Sequence, residues 1–469
     1  MKVLFVQPAT NPNVWGGDAI FVIEPLWAEY LGAGLKDAHD VRLFDMRVQK
    51  TPLEDTLNDF EPDVVGMTAY TVDVNTVKQL AAQIKGLHPE IRVVVGGYFA
   101  NANWMELFDP HIDVVVPGEG INTLRELVDT WEDKGTAANL EGITGLALPV
   151  EGGIMRQTPL RPWPSLDSYR IPERSMSAHT RHNYFDKWWK HVAAISSSYS
   201  CPYRCEFCCL WPTTGGKYLA RSPESFVDEI ETIPQDYIWF TDDEALIDAR
   251  RMDKIAQLLE ERGIQKRYFF MTRSDSIRRN PQLIERWAKV GLQRVMVGFE
   301  SIREQDLLDF NKDATTEDND TAIDILQKNG LEINSNFVLT QDYETHDFES
   351  LQRYVEGRNL GLPLYFIVTP LPGTVTYFKV KDSIFLHDYD FYDLLHTVLP
   401  TTKMSLRDFY AEFAKLYGAI DPLARNIVGY GESLDQLVVE RVRKILRSMH
   451  SDSLPLLGAE LSKGGDGHG

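Results

Sequence analysis

Ser196–Pro212 reads SSSYSCPYRCEFCCLWP, and its cysteines organise the reading of the whole 469-residue chain. Cys201, Cys205 and Cys208 stand at spacing Cys-x3-Cys-x2-Cys. Three thiolates this close in sequence can bind three irons of a cubane iron–sulfur cluster. A fourth iron then lacks a protein ligand, and an open metal position is where chemistry happens. All four cysteines of the chain fall within nine residues, which argues against three buried structural thiols. A zinc knuckle would pair two Cys-x2-Cys units or add histidines at fixed spacing. Cys209 is the odd one; it reads as a small core residue that could replace Cys208 as a ligand in a variant.

The stretch resembles the signature of the radical S-adenosylmethionine (radical SAM) superfamily. That resemblance implies a 4Fe-4S cluster on Cys201, Cys205 and Cys208, with the open iron chelating the amine and carboxylate of SAM. Phe207 matches the aromatic position before the last cysteine.

The chain is long enough for two or three domains. Its net charge of −21, with no basic stripe, argues against a nucleic-acid surface. Met1-Lys2 leads straight into VLFVQP, too short for a secretory signal, so none is expected. No apolar run reaches the roughly 18 residues that a membrane span needs. Clustered cysteines fit a reducing cytosol, so a cytoplasmic protein is expected. The final KGGDGHG reads as a flexible tail.

Lys2–Gln7 (KVLFVQ) is a continuous apolar run, as expected of a parallel strand buried on both faces. Further strands are predicted over 41–45, 63–67, 91–97 and 112–120, with helices over 25–37, 74–87 and 123–133. Alternating strands and helices predict a doubly wound, Rossmann-like parallel sheet over residues 1–145. Ligands on such sheets bind at the carboxyl ends of the strands. Those ends carry Thr68-Ala69-Tyr70-Thr71, Gly96-Gly97-Tyr98 and Gly118-Glu119-Gly120. Small and hydroxyl residues there let a large flat ligand approach the backbone; tight strand–helix turns would use glycine equally. Taken in order, PDVVGMTAYT, VVVGGYFAN and VDVVVPGEG resemble the cobalamin-binding domain that precedes many radical SAM cores. The resemblance implies that these strand-end residues hold cobalamin. One departure is the missing Asp-x-His-x-x-Gly signature: the loop reads Pro8-Ala9-Thr10-Asn11-Pro12, and the first histidine is His39. No histidine from that loop is expected on cobalt. Its lower face would stay open or meet a non-ligating side chain.

Gly152-Gly153, Arg161-Pro162-Trp163-Pro164 and Ile171-Pro172 predict an irregular linker over 146–190, packed over the next domain. Residues 191–385 predict six strands, over 192–195, 237–240, 268–272, 293–300, 333–340 and 364–369. Ser222 and Pro223 suit the N-cap and first position of a helix. Thr241-Asp242-Asp243-Glu244 follows the second strand. The resemblance places there the segment that holds the SAM amine; acids at a helix N-terminus are the plainer alternative. It also assigns to SAM Arg273, at the end of the third strand, and Glu300, in a Gly-x-Glu-Ser-like strand end. Pro370-Leu371-Pro372-Gly373-Thr374 resembles a turn of the cobalamin-associated branch. The units imply a partial (βα)6 barrel, since eight would need more chain, with the cluster at the strand carboxyl ends under the cobalamin domain. Residues 386–469 predict a small helical region. Leu406, Phe409, Phe413 and Leu416 share one face of a helix over 404–417, and a second helix covers 434–449. That face either completes the substrate pocket or is ordinary core packing. His387 and His396 are either acid–base groups or ordinary histidines.

The resemblance implies a cobalamin-dependent radical SAM methyltransferase. A 5′-deoxyadenosyl radical would activate a substrate C–H bond, and methylcobalamin would donate the methyl group. The alternative is a non-methylating cyclase or oxidase resembling anaerobic magnesium-protoporphyrin ester cyclase. A non-catalytic corrinoid binder is a third reading, against which the cysteine triad argues. The resemblance implies a small-molecule substrate, lipophilic or aromatic, and a flavodoxin or ferredoxin reductant.

Overall fold

The computed structural model describes residues 1–10, 21–150, 152–186, 189 and 191–418. The helix expected over 434–449 and the C-terminal tail lie outside the described residues, as do Asn11 and Pro12. The first sheet has seven strands, in the order Asp40–Asp45, Lys2–Gln7, Val64–Thr68, Arg92–Gly96, Val114–Val115, Ala147–Val150, Ile154–Gln157. The first five run parallel. Lys2–Gln7 shows why its run is apolar throughout. Val3 and Phe5 pack with Leu35 and Leu127 on one face, while Leu4 and Val6 pack with Leu57 and Val77 on the other. Each such buried side chain is worth roughly 1.5–3 kcal/mol.

Two expectations here need correction. The strand expected over 112–120 pairs only at Val114–Val115. Val116 still donates to Val95, but Pro117 has no N–H and Gly118, at φ +84°, turns the chain away. The segment read as irregular from residue 146 opens instead with the hairpin Ala147–Val150/Ile154–Gln157, which joins the sheet antiparallel. Gly152 and Gly153, at φ +94° and +75°, form its turn. Pro149 hid the strand in the sequence, but it sits near a sheet edge, where proline is tolerated.

The second sheet has six parallel strands in chain order: Val192–Ile195, Tyr237–Phe240, Arg267–Arg273, Leu292–Glu300, Glu332–Leu339 and Leu362–Ile367. This is the partial (βα)6 barrel. Ser222 caps the helix Pro223–Thr232, accepting from the Ser225 N–H at 3.3 Å. The helix Leu406–Gly418 packs as core: Phe409 and Phe413 are fully buried, and Phe409 meets Phe348 with ring centroids 5.2 Å apart. His396 binds Asp393 at 3.0 Å, and His387 is exposed. Among the described residues no helix is long and apolar enough to cross a membrane.

Candidate active site

The cysteine loop leaves the first barrel strand through a clasp. Asp242, fully buried, accepts from Ser197 N at 3.0 Å and Ser197 Oγ at 2.6 Å, and also from Ser198 Oγ. Arg251 donates to the Ser197 carbonyl at 2.8 Å. Ser200, at φ +67°, gives its N–H to Asp243 at 2.9 Å. The loop is pinned at its far side as well. Glu206 N donates to the Phe310 carbonyl at 3.0 Å, and Thr376 N donates to the Glu206 carbonyl at 3.0 Å.

The donor set fits an iron–sulfur cluster. Two sulfurs already accept hydrogen bonds: Cys205 Sγ from Arg273 Nη1 at 3.5 Å and Cys208 Sγ from the Leu210 N–H at 3.4 Å. Donors to sulfur of this kind stabilise thiolate-bound iron. Burial pushes the Cys201 thiol up to about 12 and the Cys209 thiol up to about 11. A bound metal offsets the cost of forming a thiolate there. Among the described residues no three His, Cys, Asp or Glu side chains converge as a single metal ion requires. A cubane takes one thiolate per iron and has no need of such convergence.

The residues expected around SAM divide by role. Asp242 belongs to the clasp. Glu244, 2% exposed, accepts from Thr272 Oγ1 and Arg273 N, both at 2.7 Å, and so joins the second and third strand ends. Asp243 is the carboxylate of the three that lines the central cavity. Burial, then the neighbouring Asp242, push its carboxyl up to about 7. Arg273 is held by Asp275 at 2.8 Å and the Lys312 carbonyl, and lies 3.8 Å over the Tyr203 ring. Glu300 sits at φ +61° where the ladder shifts register, and accepts from Lys312 Nζ at 2.6 Å. Phe207 packs edge-on against Phe310 at 5.2 Å.

The strand ends of the first domain face the same space. Gly97, at φ +98°, leaves no room for a side chain: a Cβ would strike Thr68 Oγ1 and stand 2.9 Å from Ala69 N. Ala69 is fully buried, Thr71 opens the short turn Thr71–Asp73, and neither lines the cavity. Thr68, Tyr70, Gly96, Gly97, Tyr98, Gly118, Glu119 and Gly120 all line it. Glu119 is fully buried and acts as a local brace, accepting from the Ile121 and Asn122 N–H groups at 3.0 Å and from Tyr169 at 2.8 Å. That cap starts the helix Ile121–Lys134 two residues before its expected position.

Sequence reasoning did not single out Tyr199 and Trp163. Their rings lie 4.8 Å apart, and Tyr199 stacks toward Tyr98 at 6.3 Å, which stacks on Tyr70 at 5.5 Å. Four chain segments thus make one aromatic wall. The flanking prolines of Trp163 and the place of Tyr199 beside the cysteines were the available signals. The cavity so enclosed measures about 660 Å³, and its described lining holds no histidine. It spans both domains: Gly96 and Gly118 on one side, Tyr199, Asp243 and Met271 on the other.

Comparison with known proteins agrees with this geometry. The B12 binding domain model matches residues 13–128, and the Radical SAM superfamily model matches residues 195–355. Hopanoid C-3 methylase of Methylococcus capsulatus is 29% identical over 94% of this chain and 83% of its own length. Anaerobic magnesium-protoporphyrin IX monomethyl ester cyclase of Rubrivivax gelatinosus is 25% identical over 86% of this chain and 74% of its own. The solved structure of the radical S-adenosylmethionine methyltransferase TsrM from Kitasatospora setae, with cobalamin and a 4Fe-4S cluster bound, superposes with a TM-score of 0.72. It is 17% identical, with 96% of this chain and 99% of that one covered. The chain belongs to the radical SAM enzymes that carry a cobalamin-binding domain ahead of the barrel. Its cofactors are a 4Fe-4S cluster, SAM and cobalamin.

Proposed function

We propose that this enzyme transfers a methyl group from cobalamin to an unactivated carbon of a small molecule. One observation carries the reading: the cysteine loop and the cobalamin strand ends open onto one shared cavity. Bound together, the cluster and SAM supply the means to remove a hydrogen atom from carbon, and the corrinoid supplies a methyl group. The chain's own residues position these partners. Cys201, Cys205 and Cys208 hold iron. Asp243 faces the cavity as an acceptor for the SAM ammonium, and Glu300, Arg273 and Phe207 border that site. Gly96, Gly97 and Gly118 let the corrin approach the backbone, with Tyr98 and Tyr199 between it and the cluster loop. Apolar walls that include Trp163, Leu166, Leu210 and Trp239 exclude water and favour a lipophilic or aromatic substrate. A flavodoxin or ferredoxin is the proposed reductant, and a reducing cytoplasm the proposed location.

The likeness to the cyclase supports a second reading, in which the substrate radical is oxidised and closes a ring. The experiment is anaerobic reconstitution followed by incubation with SAM carrying a labelled methyl group, reductant and candidate substrates. About four irons and one corrinoid per chain are expected, with iron lost and corrinoid kept when all three cysteines become alanine. Label in the product supports methyl transfer. Product without label points to the cyclase. Iron without corrinoid defeats both.

A further inference from the structure

The barrel lumen holds a second polar feature, below the cluster. On its strands, Met271, Met296, Asn336, Leu364 and Phe366 each keep partial exposure while their immediate strand neighbours are buried. Those neighbours, Phe270, Val295, Val297, Phe337 and Tyr365 among them, pack outward into the main core. Alternation therefore turns the partly exposed set inward, around a hollow. Its floor is Arg294, fully buried, paired with Glu332 at 2.8 Å and lying 4.7 Å over the Trp189 ring. At its roof is the Lys312–Glu300 pair. The register sets Asn334 beside Met296 and Leu362, one layer above the floor, and Asn336 beside Gly298 and Leu364. Met271, level with Met296, also lines the central cavity, so hollow and cavity meet.

Asn334 is 7% exposed, and among the described residues neither its Oδ1 nor that of Asn336 has a hydrogen-bond partner. Each unmet buried acceptor costs about 1–3 kcal/mol, so two on one face of one strand call for a ligand. The surrounding methionine, leucine and phenylalanine side chains are apolar and adaptable. A group that donates to an amide oxygen and accepts from the amide N–H, on an apolar body, satisfies both surfaces. A hydroxyl does this without charge.

We propose that Asn334 and Asn336 anchor a hydroxyl group of an otherwise apolar substrate inside the barrel lumen. This rests on the enzyme reading above and names the chemistry of its substrate. The test titrates reconstituted holoenzyme with cyclohexanol and with methoxycyclohexane, which keeps the oxygen but lacks the hydroxyl proton. Binding is followed by saturation-transfer NMR. Wild type is expected to prefer the alcohol by roughly tenfold. The preference should fall toward unity in the Asn334→Leu/Asn336→Leu variant, which keeps the side-chain branching without the amides. If the double variant does not fold, Asn336→Leu alone, at the partly exposed position, carries the comparison. Equal affinities in wild type, or a preference that the variant retains, overturn the proposal. So does a variant that loses SAM affinity while keeping the alcohol preference, since the amides then serve the cofactor. Failure of the enzyme reading shows separately, as missing iron or corrinoid in wild type.

Discussion

A Cβ added to Gly373 would stand 2.6 Å from the Cβ of Ala102, so the turn after the last barrel strand lies flush against the cobalamin-binding domain. Asn103 Nδ2 donates to the Pro372 carbonyl at 2.9 Å in the same contact. Three residues on, Thr376 N holds the Glu206 carbonyl in the cysteine loop at 3.0 Å. One turn thus touches both the cobalamin-binding domain and the cysteine loop.

Gly373 also sits at φ +89°, where a side chain is strained whatever the space. Gly373→Ala is expected to destabilise the domain contact by about 1–3 kcal/mol. Corrinoid retention after gel filtration should fall several-fold while iron content holds. Wild-type retention would show that the turn does not set the fit of the two domains.

Gly97→Ala tests the proposed corrinoid site more directly. Its Cβ would meet Thr68 Oγ1 and the Ala69 backbone, and the backbone cannot retreat without moving a strand end. Loss of bound corrinoid is expected, with the visible spectrum of the iron–sulfur cluster unchanged. Equal losses of both cofactors would mean global unfolding, and unchanged binding would place the corrin elsewhere.

Arg273 donates to Cys205 Sγ at 3.5 Å while lying on Tyr203 and bonding Asp275 and the Lys312 carbonyl. A cationic donor on a ligating sulfur stabilises the more negative, reduced cluster. Arg273→Gln is expected to shift the reduction potential to a more negative value, read by redox titration with electron paramagnetic resonance. Arg273→Lys should recover only part of the shift, because an ammonium cannot reproduce the planar fork. A potential unchanged in the glutamine variant would sink this role.

Much of the layout was readable because its signals are local. KVLFVQ had to be buried on both faces, and the cysteine stretch marks the start of the segment, 195–355, that the Radical SAM model matches. The roles of Asp242, Asp243 and Glu244 were not separable in this way. Three adjacent acids look alike in sequence, and only the placement of Ser197, Thr272 and the cavity divides them into clasp, cavity-facing acceptor and brace. The hairpin after Ala147 was hidden by Pro149 and its glycine turn. The aromatic wall of Trp163, Tyr199, Tyr98 and Tyr70 depends on contacts between distant segments, which no local pattern reveals.

Glu29 gives the joint between the domains a pH dependence. It is fully buried, bonded by Ser177 Oγ at 2.5 Å and 3.7 Å from Arg174, within a cluster that also holds Glu24, Arg181, Glu229 and Arg221. Burial, and then the neighbouring Glu24, push its carboxyl up from 4.5 to about 7. A carboxyl whose folded value is raised favours the fold while protonated. That contribution is fully present below about 4.5 and is lost as pH rises through about 7. Glu29→Gln keeps the shape and removes the ionisation. The variant should therefore gain stability relative to wild type as pH rises from about 5 to about 8, by on the order of 2 kcal/mol. Urea denaturation at the two pH values measures it. A difference between variant and wild type that does not change with pH would show that Glu29 is already ionised in the folded protein, with Arg174 and Arg181 sufficient to hold its charge in the joint.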